Sequence, residues 1–272
     1  MSSFTNKVII VTGASSGIGK ALAIEAAKQG ANVVLAARRL ENIETLSSEL
    51  SKQYQKCIAV KTDVELKEDC EFLVKKTVQE FGKIDVLVNN AGISMRALFN
   101  DMDISVFEKL MNTNLMGTVY STKFALPYIL KEKGSVVGIS SIAGVAPLPA
   151  RTAYSASKFA MFGFLTTLRL ENIKNQLHVM ISHPGFTESE VRLHALTANG
   201  LEQGKTPRNE QKMMTSQEVA IRILKGIRKK KRVQIMSLEG NFTYFLYKFF
   251  PKLIDKLIYS SISKEPDTPL SR

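Results

Sequence analysis

The run Val8-Ile9-Ile10-Val11 leads directly into Thr12-Gly13-Ala14-Ser15-Ser16-Gly17-Ile18-Gly19, and an Ala- and Leu-rich stretch continues to Gly30. A short β-branched run, a glycine turn and a helical pattern in that order read as strand, tight turn and helix. Glycine lets the turn close tightly and approach a ligand. The helix start offers unpaired N–H groups and a positive dipole end, which together suit the phosphates of a nucleotide. Three residues separate Gly13 from Gly17, a departure from the G-x-G-x-x-G spacing. Taken alone, the stretch is also compatible with an ordinary tight turn.

The rest of the chain repeats the theme. Val8–Val11, Val33–Ala36, Ile58–Val60, Val86–Val88, Val136–Ile139, Val179–Ile181 and Val233–Ile235 are short and mostly apolar at consecutive positions. Strands buried on both faces read this way. Helical patterns lie between them at 20–29, 40–53, 66–81, 104–130, 152–175 and 216–229. Repeated β-α-β units imply an α/β fold of Rossmann type. It would be a doubly wound parallel sheet of about seven strands with helices on both faces, followed by a short helical tail. We read 1–239 as one dinucleotide-binding and catalytic domain. Within it, 186–215 is a long connection of the kind that serves as a lid or binding loop. Residues 240–272 form an amphipathic C-terminal tail.

Composition narrows the setting. Cys57 and Cys70 have neither disulfide-framework nor metal-ligand spacing, so no metal site is expected and a reducing, cytoplasmic location is the reading. No signal peptide and no spanning helix is found. The formal net charge of +12 is partly concentrated in Lys225–Arg232, which fits either a solvated helix end or an anionic surface.

Ligands of open α/β sheets bind at the carboxyl ends of the strands, and polar residues cluster there: Asp63, Asn89-Asn90, Ser140-Ser141 and Ser182-His183. At the start of the 152–175 helix, Tyr154 and Lys158 stand at i and i+4, on one helix face. An ammonium beside a phenol stabilises the phenolate and brings it towards the range useful for acid–base work.

Gly13-x-x-x-Gly17-x-Gly19, Asp63, Asn89-Asn90-Ala91-Gly92, Asn114, Ser141 and Tyr154-x-x-x-Lys158 occur in order over residues 5–236, and that ordered set resembles the short-chain dehydrogenase/reductase family. The resemblance implies that Tyr154 is the proton donor in carbonyl reduction, or the base in alcohol oxidation. Lys158 would lower its pKa and bind the nicotinamide ribose. Ser141, rather than Ser140, would hold the substrate oxygen, and Asn114 would position a water in a proton relay. It further implies cofactor contacts from Thr12, Gly13, Ser15, Ser16, Gly17, Ile18 and Gly19 in the turn. Asp63 and Val64 would lie at the adenine, and Asn90, Ala91 and Gly92 along the ribose. Where the family reads Pro-Gly-x-Val-x-Thr, this chain has Pro184-Gly185-Phe186-Thr187-Glu188-Ser189. Either Thr187 or Ser189 would then contact the carboxamide. A homodimer or homotetramer through 104–130 and 152–175 is also implied.

The cofactor is expected to be NADP(H). The second strand ends Ala37-Arg38-Arg39, without the acidic residue that binds a ribose 2′-hydroxyl. Two guanidiniums can instead pair with a 2′-phosphate, Arg38 first and Arg39 second. The substrate is a small carbonyl or alcohol compound, and Leu193, Leu196, Met213 and Met214 in the long connection suit a lipophilic one. The tail 241–259 carries aromatic and aliphatic residues, with Lys248, Lys252 and Lys256 four apart and Pro251 dividing it into two short helices. It could lie on an anionic membrane, cover the pocket or make a dimer contact. Nucleic acid is not a partner, since no groove-reading motif is present. The alternative to an enzyme is a non-catalytic NADP-binding sensor or a membrane-associated scaffold on the same fold.

Overall fold

The computed structural model describes residues 4–188, 190–204, 206 and 213–271. The seven apolar runs are strands: β1 (Val8–Thr12), β2 (Asn32–Ala37), β3 (Cys57–Lys61), β4 (Val86–Asn89), β5 (Ser135–Ile139), β6 (His178–His183) and β7 (Val233–Ile235). They pair in parallel in the order β3-β2-β1-β4-β5-β6-β7. Ile10 of β1 stands in register with Val34 of β2 on one side and Leu87 of β4 on the other. The chain winds outward in both directions from that central strand.

Consecutive apolar residues are what a sheet covered on both faces requires. Ile9 and Val11 pack with α1 (Gly17–Lys28), α2 (Leu40–Gln53) and α7 (Ser216–Arg228), through Leu22, Ile43 and Ile223. Val8 and Ile10 point the other way, to α3 (Lys67–Phe81), α5 (Gly117–Lys131) and α6 (Thr152–Glu171), where Leu73, Ile129 and Leu165 meet them. Each fully buried aliphatic side chain of this kind contributes roughly 1.5–3 kcal/mol.

The single helix expected over 104–130 is not continuous. It comprises α4 (Ile104–Leu110), a π-helical turn (Met111–Met116) and α5. Side chains within the turn are drawn towards the sheet. Thr113 donates to a Glu65 carboxylate oxygen at 2.6 Å, and Asn114 bonds the backbone of Ile93. Gly117 follows, where a Cβ would meet Val64 at 2.7 Å. A π-turn accommodates one extra residue without breaking the helix axis, and such turns concentrate at functional sites.

The tail divides as expected. Helix α8 (Leu238–Tyr247) is capped by Ser237, and Pro251 opens α9 (Pro251–Ser263). Proline suits that first position because its missing N–H has no helical partner there.

Candidate active site

A cleft of about 620 Å³ opens at the carboxyl ends of β1 and β4, where the strand order reverses. Gly13, Ser15, Ser16, Gly17 and Ile18 line it from the turn after β1, and Asn90, Ala91 and Gly92 from the end of β4. Gly13 and Gly17 have φ of 65° and 52°, a left-handed conformation that only glycine adopts freely. A Cβ at Gly13 would lie 2.9 Å from the Ala91 Cα, and one at Gly19 would collide with the Gly13 carbonyl. Gly19 therefore stands behind the turn and makes it compact. Ser16 precedes α1 in extended conformation and makes no side-chain capping bond. A turn with its Cβ space closed, leading into a helix start without a side-chain cap, fits a phosphate group.

Thr12 is not on the cleft wall. It is buried, and its Oγ1 accepts the N–H groups of Asn90 at 3.0 Å and Ala91 at 3.1 Å. Asn90 returns its amide to the Thr12 carbonyl at 2.8 Å. These bonds latch the two strand ends together, 78 residues apart in sequence. Asp63 and Val64 form the next wall, where Asp63 accepts the Glu65 N–H at 3.1 Å. Beyond them β2 ends at Ala37, and the exposed Arg38 and Arg39 stand on the rim. Arg39 donates to Ser15 Oγ at 3.2 Å.

Tyr154 and Lys158 both reach the cleft from the first turns of α6. The Lys158 Nζ is 5.8 Å from the Tyr154 ring centroid and donates to the Ile139 carbonyl at 2.9 Å. Its burial lowers the ammonium from 10.5 to about 8. Burial pushes the Tyr154 hydroxyl up from its ordinary value, while a hydrogen bond with Ser141 and the charge of Arg151 pull it back.

Ser141 begins a short 3-10 turn (Ile142–Gly144), and its Oγ accepts the Ala143 N–H at 3.2 Å. Ser140 lines the cleft beside it. The Ser141 carbonyl is 2.7 Å from His183 Nδ1. Since a carbonyl only accepts, Nδ1 carries the proton, and burial keeps that imidazole neutral by lowering its pKa. Asn114 is wholly buried in the π-turn. It accepts the Ile93 N–H at 2.8 Å and donates to the Ile93 carbonyl at 3.0 Å and Ser157 Oγ at 2.9 Å. A Cβ at Gly92 would sit 3.0 Å from the Asn114 Oδ1 and 3.3 Å from the Lys158 Nζ. Strand end, π-turn and α6 therefore converge on one point.

Pro184, Gly185 and Thr187 lie outside the lining of this cleft. Thr187 is buried, with its hydroxyl on the Gly185 carbonyl at 3.1 Å. Ser189 lies outside the described residues. Two polar pairings on the wall, at Glu65 and between His194 and Glu202, have no counterpart in the motif set. Glu65 holds Lys109 at 2.8 Å as well as Thr113. His194 meets Glu202 at 2.7 Å across the long connection. The position of Glu65 two residues beyond Asp63 was a usable signal; the His194–Glu202 pair carries none.

The family model for short chain dehydrogenases matches residues 7–199. A Dictyostelium discoideum protein named dehydrogenase/reductase SDR family protein 7-like is 35% identical over 96% of this chain and 84% of its own length. An Arabidopsis thaliana 11-beta-hydroxysteroid dehydrogenase-like protein is 41% identical over 69% of this chain and 61% of its own. Among solved structures, an alcohol dehydrogenase from Thermococcus sibiricus complexed with 5-hydroxy-NADP superimposes with a TM-score of 0.74 at 26% identity. It covers 85% of this chain and 95% of that one. The chain belongs to the short-chain dehydrogenase/reductase family and is an oxidoreductase acting on CH–OH or C=O groups.

Proposed function

We propose that this chain is an NADP(H)-dependent oxidoreductase that interconverts a lipophilic carbonyl compound and its secondary alcohol. The observation that carries the cofactor choice is the end of β2, where Arg38 and Arg39 stand on the cleft rim and Ala37 occupies the place of an acid. Guanidinium groups pair with a 2′-phosphate, whereas a carboxylate would repel it. The glycine turn and α1 would hold the pyrophosphate, Ile18 would pack on the cofactor, and Asp63 and Val64 would flank the adenine. Asn90, Ala91, Gly92 and Lys158 would hold the ribose. The segment Pro184-Gly185, although outside the cleft lining, would bring either Thr187 or Ser189 to the carboxamide.

The dinucleotide supplies the hydride when bound. Tyr154 then donates its hydroxyl proton to the substrate oxygen, and Ser141 hydrogen-bonds the same oxygen as charge builds there. Lys158 stabilises the resulting phenolate, and Asn114 orders a water through which the proton is replaced. Burial that keeps Tyr154 protonated supports its use as an acid. The names of the hydroxysteroid dehydrogenase-like relatives and the Leu196 and Val191 side chains on the wall favour a bulky apolar substrate.

The tail supports peripheral contact with an anionic membrane. Phe242, Phe245 and Phe249 are exposed, the last two with ring centroids 5.2 Å apart, and Leu253, Leu257, Lys248, Lys252 and Lys256 are exposed as well. No described residue of α8 or α9 lines the main cleft, which disfavours a pocket cover. A two-fold contact would bring like-charged lysines together. Among the described residues, no helix is long and apolar enough to cross a membrane. Assembly into dimers or tetramers through α5 and α6 belongs to the same reading. The deciding experiment screens aldehydes, ketones and ketosteroids with NADPH and NADH. We expect kcat/KM to favour NADPH at least tenfold, and a ratio near one removes the cofactor assignment.

A further inference from the structure

After α9 the chain doubles back, and Glu265 enters the protein. Its carboxylate is 96% buried. It lies 3.2 Å from Arg151 Nη2 and 3.5 Å from Arg96 Nη2, and both guanidiniums are themselves largely enclosed. Arg96 also donates to the Pro266 carbonyl at 2.7 Å. A buried carboxylate needs such partners to remain charged. Here they come from two segments distant in sequence.

Both segments belong to the wall of the site. Arg96 lies in the stretch after β4 that pairs with the long connection, donating its N–H to the Leu196 carbonyl at 2.8 Å. Leu196 lines the cleft. The next residue, Ala97, donates to the Ala150 carbonyl at 3.0 Å and bridges to Arg151. Arg151 is the residue before α6, three positions ahead of Tyr154. One carboxylate from the C-terminal segment thus ties together the Leu196 side of the cleft and the start of the helix bearing Tyr154.

We propose that Glu265 is a positioning residue for the reaction: by holding Arg96 and Arg151 it fixes the substrate-side wall and the distance of the Arg151 charge from Tyr154. This rests on the reading of Tyr154 as proton donor. Among the described residues, Lys158 lies 5.8 Å from the Tyr154 ring and Arg151 is the charge acting on its hydroxyl, while Asp63, Glu65, Lys109, His194 and Glu202 line the same cleft. Arg151 favours the phenolate, and Glu265 partly cancels that charge. Neutralising Glu265 while keeping its shape therefore lets Tyr154 ionise at lower pH and loosens the wall.

The test uses the full chain with Glu265→Gln and Glu265→Asp. The amide keeps the volume and one acceptor, whereas an alanine would strand two guanidiniums and risk the fold. NADPH binding, read by fluorescence, should be unchanged in both variants, because none of Glu265, Arg96 and Arg151 lines the cleft that the glycine turn forms. With cortisone, decan-2-one and benzaldehyde as probes, Glu265→Gln should raise KM about fivefold or more through misplacement of the wall. The ascending limb of the alcohol-oxidation pH profile, where the Tyr154 phenolate forms, should move down by roughly half a pH unit. Glu265→Asp, which keeps the charge, should restore the limb. A Glu265→Gln chain with the unaltered KM and pH profile overturns the positioning role. A rise in KM with the limb unmoved reduces Glu265 to a structural anchor, and likewise overturns the electrostatic part. An unaltered chain that reduces none of the probes defeats the reading of the site, and this inference with it.

Discussion

Replacing Lys158 by methionine in the cofactor-free chain isolates what a buried ammonium does to folding. Lys158 is 3% exposed, and burial brings its ammonium from 10.5 down to about 8. The unfolded chain therefore binds this proton more tightly than the folded one, and stability rises with pH between those two values. The contribution is fully present above 10.5 and is lost as pH falls through about 8. At about 1.4 kcal/mol for each tenfold difference, the whole effect is about 3 kcal/mol. Between pH 7 and pH 10 the unaltered chain should gain about 2.5 kcal/mol from this source, and Lys158→Met should not. Methionine also deletes the bond to the Ile139 carbonyl, a further loss of about 1–3 kcal/mol that is larger at pH 7, where the donor is charged, than at pH 10, and so works against the difference sought. Urea unfolding of both chains at the two pH values gives the double difference directly. Identical pH dependence in the two chains would refute the claim that Lys158 is held in a site that disfavours its charge.

Four further outcomes follow from the same geometry. Tyr154→Phe should lower kcat by roughly 10²–10⁴-fold with NADPH affinity intact, and retained turnover removes Tyr154 as the acid. Arg38→Ala with Arg39→Ala should raise the KM for NADPH about 10- to 100-fold and leave that for NADH unchanged, as expected of charge-assisted bonds. Equal effects on both cofactors contradict it. Thr12→Val leaves the Asn90 and Ala91 N–H groups without their acceptor, and the urea midpoint should report a loss of about 1–3 kcal/mol for each. An unmoved midpoint shows that the latch is unimportant. Phe245→Glu with Phe249→Glu should abolish co-flotation with phosphatidylserine vesicles while benzaldehyde kinetics stay the same; flotation that persists excludes these two rings as the membrane contact.

Most of the fold was legible because its signals are local. Seven β-branched runs on consecutive positions mark a sheet buried on both faces, and each is a strand within two residues of the apolar stretch. Pro251 ends one helix and opens another because its backbone permits nothing else. The π-turn was invisible for a physical reason. Helical periodicity continues on either side of Met111–Met116, and the extra residue is held by Thr113 and Asn114 bonding to Glu65 and Ile93, from separate parts of the chain. The role of the Thr12 side chain was hidden in the same way. Its position beside the glycines suggests a ligand contact, but its hydroxyl is occupied by backbone groups 78 and 79 residues away. Spacing reveals which residues share a face, whereas only the fold reveals which distant donor satisfies them.

The pair Tyr154 and Lys158 shows the limit of spacing arguments most directly. Four residues on a helix bring a cation near a phenol, and the elementary expectation is a phenol of lowered pKa. Enclosure changes the outcome: desolvation disfavours the charged form of each group, so it raises the tyrosine and lowers the lysine. The cofactor-free site is thereby poised with its hydroxyl protonated, the form needed to give a proton to a carbonyl oxygen. Arg151 and Ser141 are the groups that counter the effect on the tyrosine. One lies outside the helix and is tethered by Glu265; the other is held through its carbonyl by His183. The acidity of Tyr154 is therefore set first by its burial and then countered by Ser141 of the motif set and by Arg151, which belongs to no motif and is tethered by Glu265 from the C-terminal segment.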